Sequence, residues 1–145
     1  MSLLPAGVVS RRGLFALAAA SGLSACSNQP SRAEMIARDP YLPRLRADPM
    51  YSWKVEEADR QTPSETPYGK DSYGETKNSE IIIVHVVHAG VDRDSLRKQG
   101  LTAAKAAGYD ESGHRDDESG LRINCTVAVD ASAGTILVWL RAPEA

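Results

Sequence analysis

The run Ile81-Ile82-Ile83-Val84-His85-Val86-Val87-His88 constrains the fold more than any other stretch of the chain. Six of these eight residues are β-branched. Such side chains are stiff at χ1, crowd a helical turn and pack well on a pleated surface. The run therefore predicts a strand from Glu80 to Ala89. Successive strand side chains point to opposite faces. With apolar residues at both parities, the strand reads as central and covered on both sides for much of its length.

Two further segments alternate with period two. Tyr51 to Ala58 sets Tyr51, Trp53 and Val55 against Ser52, Lys54 and Glu56. Leu121 to Val129 sets Leu121, Ile123, Cys125, Val127 and Val129 against Arg122, Asn124, Thr126 and Ala128. Both patterns predict half-buried strands. Asp130-Ala131-Ser132-Ala133-Gly134 is then a hairpin connection to a last strand from Thr135 to Arg141. Between the second and third strands a helix is predicted from about Ser95 to Ala107, capped by Asp92 or Asp94 and stopped by Gly108 in a left-handed C-cap. Leu96, Gly100, Ala103, Ala104 and Ala107 fall on its inner face, with Arg97, Lys98 and Lys105 outward. Small inner residues predict close approach to the sheet. The order β-β-α-β-β defines an α+β domain: a small, mostly antiparallel sheet of about four strands with one helix on a face.

Residues 59–79 hold Pro63, Pro67, Gly69 and Gly74 and almost no aliphatic side chain. So long a loop in a compact domain tends to be functional or disordered. Its large side chains, Tyr68 and Tyr73, are candidate binding residues together with Tyr51, because Tyr and Trp dominate interface hot spots. Trp53 and Trp139 could serve the same way, but core packing is the expected role of both.

The remaining chemistry is sparse. On a strand, His85 and His88 point to opposite faces and cannot share a metal. Asp110, Glu111, His114, Asp116, Asp117 and Glu118 gather hard donors in one loop, yet the sixth position from Asp110 is Arg115, where a calcium-binding loop needs Gly. A solvated acidic loop is expected there. Cys125 reads as a small buried hydrophobe. There is no Gly-x-Ser-x-Gly, no phosphate-binding loop and no Cys-x-x-Cys. No metal site, no cofactor and no enzymatic activity are expected.

The N-terminus points to export. Arg11 and Arg12 supply positive charge, Gly13 to Gly22 an apolar stretch, and Leu23-Ser24-Ala25 precedes Cys26. This is the three-part plan of a signal peptide over residues 1–25, and its apolar stretch, about a dozen residues, is too short to span about 30 Å of hydrocarbon, which takes about 20. Leu23-Ser24-Ala25-Cys26 resembles the lipobox of bacterial lipoproteins, whose Cys accepts diacylglycerol. Ser10-Arg11-Arg12-Gly13-Leu14-Phe15 resembles a twin-arginine signal, with the general secretory route as the other reading. Residues 26–48 read as a polar linker interrupted by Pro30, Pro40 and Pro43. A short helix is predicted over Arg32 to Arg38, with Ser31 and Glu34 at capping-box spacing. Residues 49–145 form the domain.

The signal, the Asp48-Pro49-Met50 segment and the helix end Ala106-Ala107-Gly108-Tyr109 resemble small actinobacterial lipoproteins over most of the mature chain. The resemblance implies a cell-envelope location and no activity, so no functional residue carries over. The expectation is a membrane-anchored lipoprotein on the extracytoplasmic face, held by lipid on Cys26, with a non-enzymatic interaction domain and an envelope protein as partner. A second reading is a small-molecule or cation-binding accessory lipoprotein using the acidic loop. Cleavage before Cys26 leaves 15 of the 17 basic side chains against all 19 acidic ones, a net charge of −4. That balance argues against nucleic acid, which demands concentrated Lys and Arg.

Overall fold

A computed structural model of the protein describes residues 29–71 and 73–144. The signal peptide and Cys26 lie outside the described residues. The chain divides into residues 1–31 and 32–145, and the fold is that of the second unit.

Among the described residues, three helices and eight strands follow one another in this order: α1 (Arg32–Arg38), α2 (Leu42–Arg46), β1 (Ala58–Arg60), β2 (Ser64–Thr66), β3 (Gly69–Lys70), β4 (Thr76–Lys77), β5 (Ser79–Val87), α3 (Arg93–Ala106), β6 (His114–Asp116), β7 (Arg122–Asp130) and β8 (Thr135–Ala142). The main sheet runs β1-β5-β8-β7-β6, with β2 on the same edge of β5 as β1; β3 and β4 form a separate hairpin. All pairings are antiparallel. An antiparallel sheet with a long helix on one face was expected and is present; the strand count and order are richer than β-β-α-β-β.

Four expectations are corrected. Residues 51–57 form no strand. Turns closed by Tyr51 N–H to Asp48 O and Trp53 N–H to Met50 O fold the chain back, so the side chains alternate but the chain enters the sheet only at Ala58. Residues 59–79 are not structureless: β1 and β2 together edge β5. Arg60 lies opposite His85 and Ser64 opposite Ile82, so 61–63 face only Ile83 and Val84. That extra residue is a β-bulge, and Pro63 sits inside it, where a strand tolerates proline.

The domain also begins before residue 49. Leu42 and Leu45 of α2, with Asp39 and Asp48, are buried in the core region, so this part of the supposed linker is structural. Finally, among the described residues, β5 is covered on one face only. Ser79, Ile81, Ile83 and His85 are buried, whereas Glu80, Ile82, Val84 and Val86 are half-exposed or exposed.

The core joins Ile81 and Ile83 to Ile136, Val138 and Leu140 of β8 and to Ile123, Cys125 and Val127 of β7. Leu42, Leu45, Met50, Leu96 and Ala104 cover them. Asp92 caps α3 by accepting from Asp94 N–H at 3.0 Å. At the other end, Gly108 N–H donates to Lys105 O and Tyr109 N–H to Ala104 O, with Gly108 at φ +94°. This Schellman closure turns Tyr109 back into the core. The small inner face does bring α3 close: a Cβ at Gly100 would lie 2.9 Å from both Trp53 Cη2 and Val127 Cγ1.

Candidate binding surface

The face of the sheet opposite α3 is apolar and open. Ile82 lies across from Trp139, which lies across from Thr126; Val84 lies across from Leu137, then Ala128. Ile82, Val84 and Leu137 are half-exposed, Val86 is 38% exposed and Trp139 39%. Glu80, Arg141, Thr126 and Asp130 rim these side chains. Arg141 leans over the Trp139 ring at 5.7 Å and is held by two 3.0 Å bonds to Glu144. The core role expected of Trp139 is corrected here. Both parities of β8 are apolar, and Ile136, Val138 and Leu140 take the buried one. Trp53 is the counterpart: half-buried, packed against the core, edge-on to His85 at 5.6 Å.

The three candidate tyrosines do not form one site. Tyr73 is 91% exposed in the turn between β3 and β4. Tyr68 is 41% exposed and packs edge-on against Tyr41 at 5.3 Å. Tyr51 is half-buried beneath the Arg60 guanidinium, 4.8 Å away. Each sits outside the strands that carry the open face, and no ring contact among the described residues joins them.

The buried carboxylates are structural. Asp39 accepts from Tyr41 N–H at 2.7 Å, Leu42 N–H at 2.8 Å and Ser79 Oγ at 2.7 and 2.9 Å, and also from Tyr68 N–H. It ties the start of α2 to β5 and to residue 68. Burial pushes its carboxyl up, but these donors together bring it below the ordinary value. Asp48 accepts from Met50 N–H and Tyr109 OH and pairs with Arg115. Burial first, then the Asp48 charge, pushes the Tyr109 phenol far up. Sequence reasoning missed both aspartates; a capping Asp39 three residues before Leu42 was the available signal for the first.

The acidic loop is similarly occupied. Asp110 accepts from Ser112 N–H and His114 N–H at 2.9 Å. Asp117 takes a bidentate pair from Arg44 at 2.6 and 2.7 Å and accepts from Ser119 and Leu121 N–H. Burial raises the Asp117 carboxyl and these bonds outweigh it, leaving it at about 2. Asp116 pairs with Arg122. Among the described residues no three His, Cys, Asp or Glu side chains come together as a metal would require. His88 lies 3.2 Å from Asp59, whereas His85 is buried with no partner for Nδ1, and burial followed by the Arg60 charge lowers its pKa. Cys125 is buried as expected, its thiol pushed up to about 12 by burial first and the Asp48 charge second.

A cleft of about 520 Å³ lies between α3, the 109–113 turn and β7. Leu101, Ala104, Tyr109, Cys125 and Val127 give it an apolar lining; Arg97, Lys105 and Glu111 are among its polar residues. Against known protein families, curated proteins and solved structures, the chain has no match.

Proposed function

We propose that the chain is a membrane-anchored cell-envelope lipoprotein whose domain is a non-enzymatic interaction module. The observation that carries the module reading is the open sheet face. Two strands apolar at both parities, β5 and β8, leave Ile82, Val84, Leu137 and Trp139 toward solvent, and contiguous exposed apolar surface rimmed by polar groups marks interaction sites. The polar groups add to this reading. Asp39, Asp48, Asp110 and Asp117 are spent on internal bonds, and the Cys125 thiol is held far from thiolate.

The anchor reading rests on Leu23-Ser24-Ala25-Cys26 after a charged and an apolar stretch. Each buried acyl methylene contributes about 0.8 kcal/mol, and two chains suffice for stable anchoring. A diacylglyceryl group on Cys26 therefore holds the domain at the extracytoplasmic face of the cell membrane, beside an envelope protein as partner. No cofactor or nucleic acid is part of this reading.

Photo-crosslinking in native membranes tests it. A benzophenone side chain at Leu137 is expected to give one discrete adduct, and the same group at Thr102, on the exposed side of α3, none. Cys26→Ala should move the chain out of the membrane fraction. Equal crosslinking from both positions would remove the open face as the contact surface. Membrane retention of Cys26→Ala would remove the anchor.

A further inference from the structure

A second surface lies on the opposite side of the sheet. β6 covers β7 only at Arg122, Ile123 and Asn124, and the outward N–H of Cys125 is taken by Gly113 O at 2.8 Å. Period two places the N–H and C=O groups of Val127 and Val129 on that same edge. Among the described residues, β8 pairs with the other side of β7 and nothing pairs with this one. The cleft lies directly beside this unpaired stretch.

α3 forms the far wall and runs antiparallel to β7. Arg93 near its start donates to Ala131 O at 2.6 Å, Gly100 sits over Val127, and Tyr109 beyond its end shares the cleft with Cys125. Arg97, Leu101 and Lys105 recur every fourth residue along that wall. Leu101 is 43% exposed. Neither Arg97 nor Lys105 has an ion-pair partner among the described residues.

We propose that the β7 edge and this cleft bind an extended peptide with the pattern acidic, any, apolar, any, acidic. Arg97 and Lys105 are eight residues apart, about 12 Å along a helix. Strand residues four apart on one face span about 13 Å. Two carboxylates at that spacing meet the two cations, and the apolar side chain between them meets Leu101, Ala104 and Val127. The peptide backbone pairs with Val127 and Val129, as in recognition by strand addition. Asp110 and Glu111 also line the turn end of the cleft; Asp110 is engaged by Ser112 and His114 N–H, and Glu111 opposes further negative charge at that end, so the Arg97 end carries more of the acidic preference. The site is separate from the open face, so either can fail without the other.

The test uses the full chain carrying Cys26→Ser and a fluorescein-labelled Thr-Glu-Thr-Leu-Thr-Glu-Thr peptide. Saturable binding is expected, weakened about tenfold or more when both Glu become Lys, since two ion pairs turn repulsive. Arg97→Glu with Lys105→Glu should reverse that preference, and both positions lie on the exposed side of α3. Val129→Pro removes the outward N–H, with Val129→Ala as the control for the side chain packed against the core, and should weaken binding by about tenfold relative to that control. Bound peptide should slow amide exchange at Val127 and Val129. Equal binding of both peptides, or unchanged exchange at those amides, would overturn the proposal. So would their protection without peptide in a sedimenting dimer, which would make the edge a contact between copies.

Discussion

The two faces of β5 are built from nearly the same amino acids and meet opposite fates. Ile81 and Ile83 are fully buried beneath α2, α3 and Met50, while Ile82 and Val84, one residue away, stay half-exposed beside Trp139. Burying an aliphatic side chain is worth about 1.5–3 kcal/mol. One face realises this inside the domain; the other leaves it available for the contact proposed above.

Substitutions that separate the faces sharpen the comparison. Ile83→Ala should lower unfolding stability in urea by about 2–5 kcal/mol, through lost burial and the cavity left behind. A loss below about 1 kcal/mol, within the range of surface changes, would mean the buried face is loosely packed. Gly100→Ala is next. Ala is the better helix former by about 1 kcal/mol, but its Cβ meets Trp53 and Val127 at 2.9 Å. Overpacking of about 1–3 kcal/mol should win, giving a net loss in the same titration. A gain would show that α3 does not press on the sheet there.

Acid should loosen the carboxylate ties on the covered side of the sheet. Asp39 and Asp117 both have folded pKa values below the ordinary carboxylate value, Asp117 at about 2. Their stabilisation is present above pH of about 4, the unfolded carboxylate value, and is lost as pH falls through the folded values. Thermal melts between pH 5 and pH 2, taken as round limits about those values, should show falling Tm, with a shallower fall in Asp117→Asn. The smallest effect belongs to the open face. Ile82→Ala and Trp139→Ser should each change stability by about 1 kcal/mol or less, the scale of one cross-strand pair. They should nevertheless abolish the Leu137 crosslink.

Much of this was legible from patterning. The alternation from Leu121 to Val129, the caps of α3 and its small inner face follow from local rules, and each appears in the structure. What misled was apolarity at both parities. In β5 and β8 it leaves open which face is covered, so patterning alone points Trp139 inward and gives β5 a second cover. Local alternation also says nothing of pairing partners, so Tyr51, Trp53 and Val55 pack inward from turns instead of a strand. The core roles of Leu42, Leu45, Asp39 and Asp48 depend on contacts with β5, Tyr109 and Arg115, distant in sequence. Proline-rich surroundings hid them. Of the candidate site, the aromatic residues were identifiable, but their separation was not.

Hydroxyl-radical footprinting addresses the open face most directly. Oxidation of Leu137 and Trp139 would be read by mass spectrometry in two samples: the purified full chain with Cys26→Ser, and the lipidated protein in its own membranes. Trp139 and Leu137 should be oxidised several-fold less in membranes, with Tyr73 unchanged as the exposed reference, a contrast of the size that burial of a hot-spot residue gives. Equal oxidation in both samples would contradict an interface on this face.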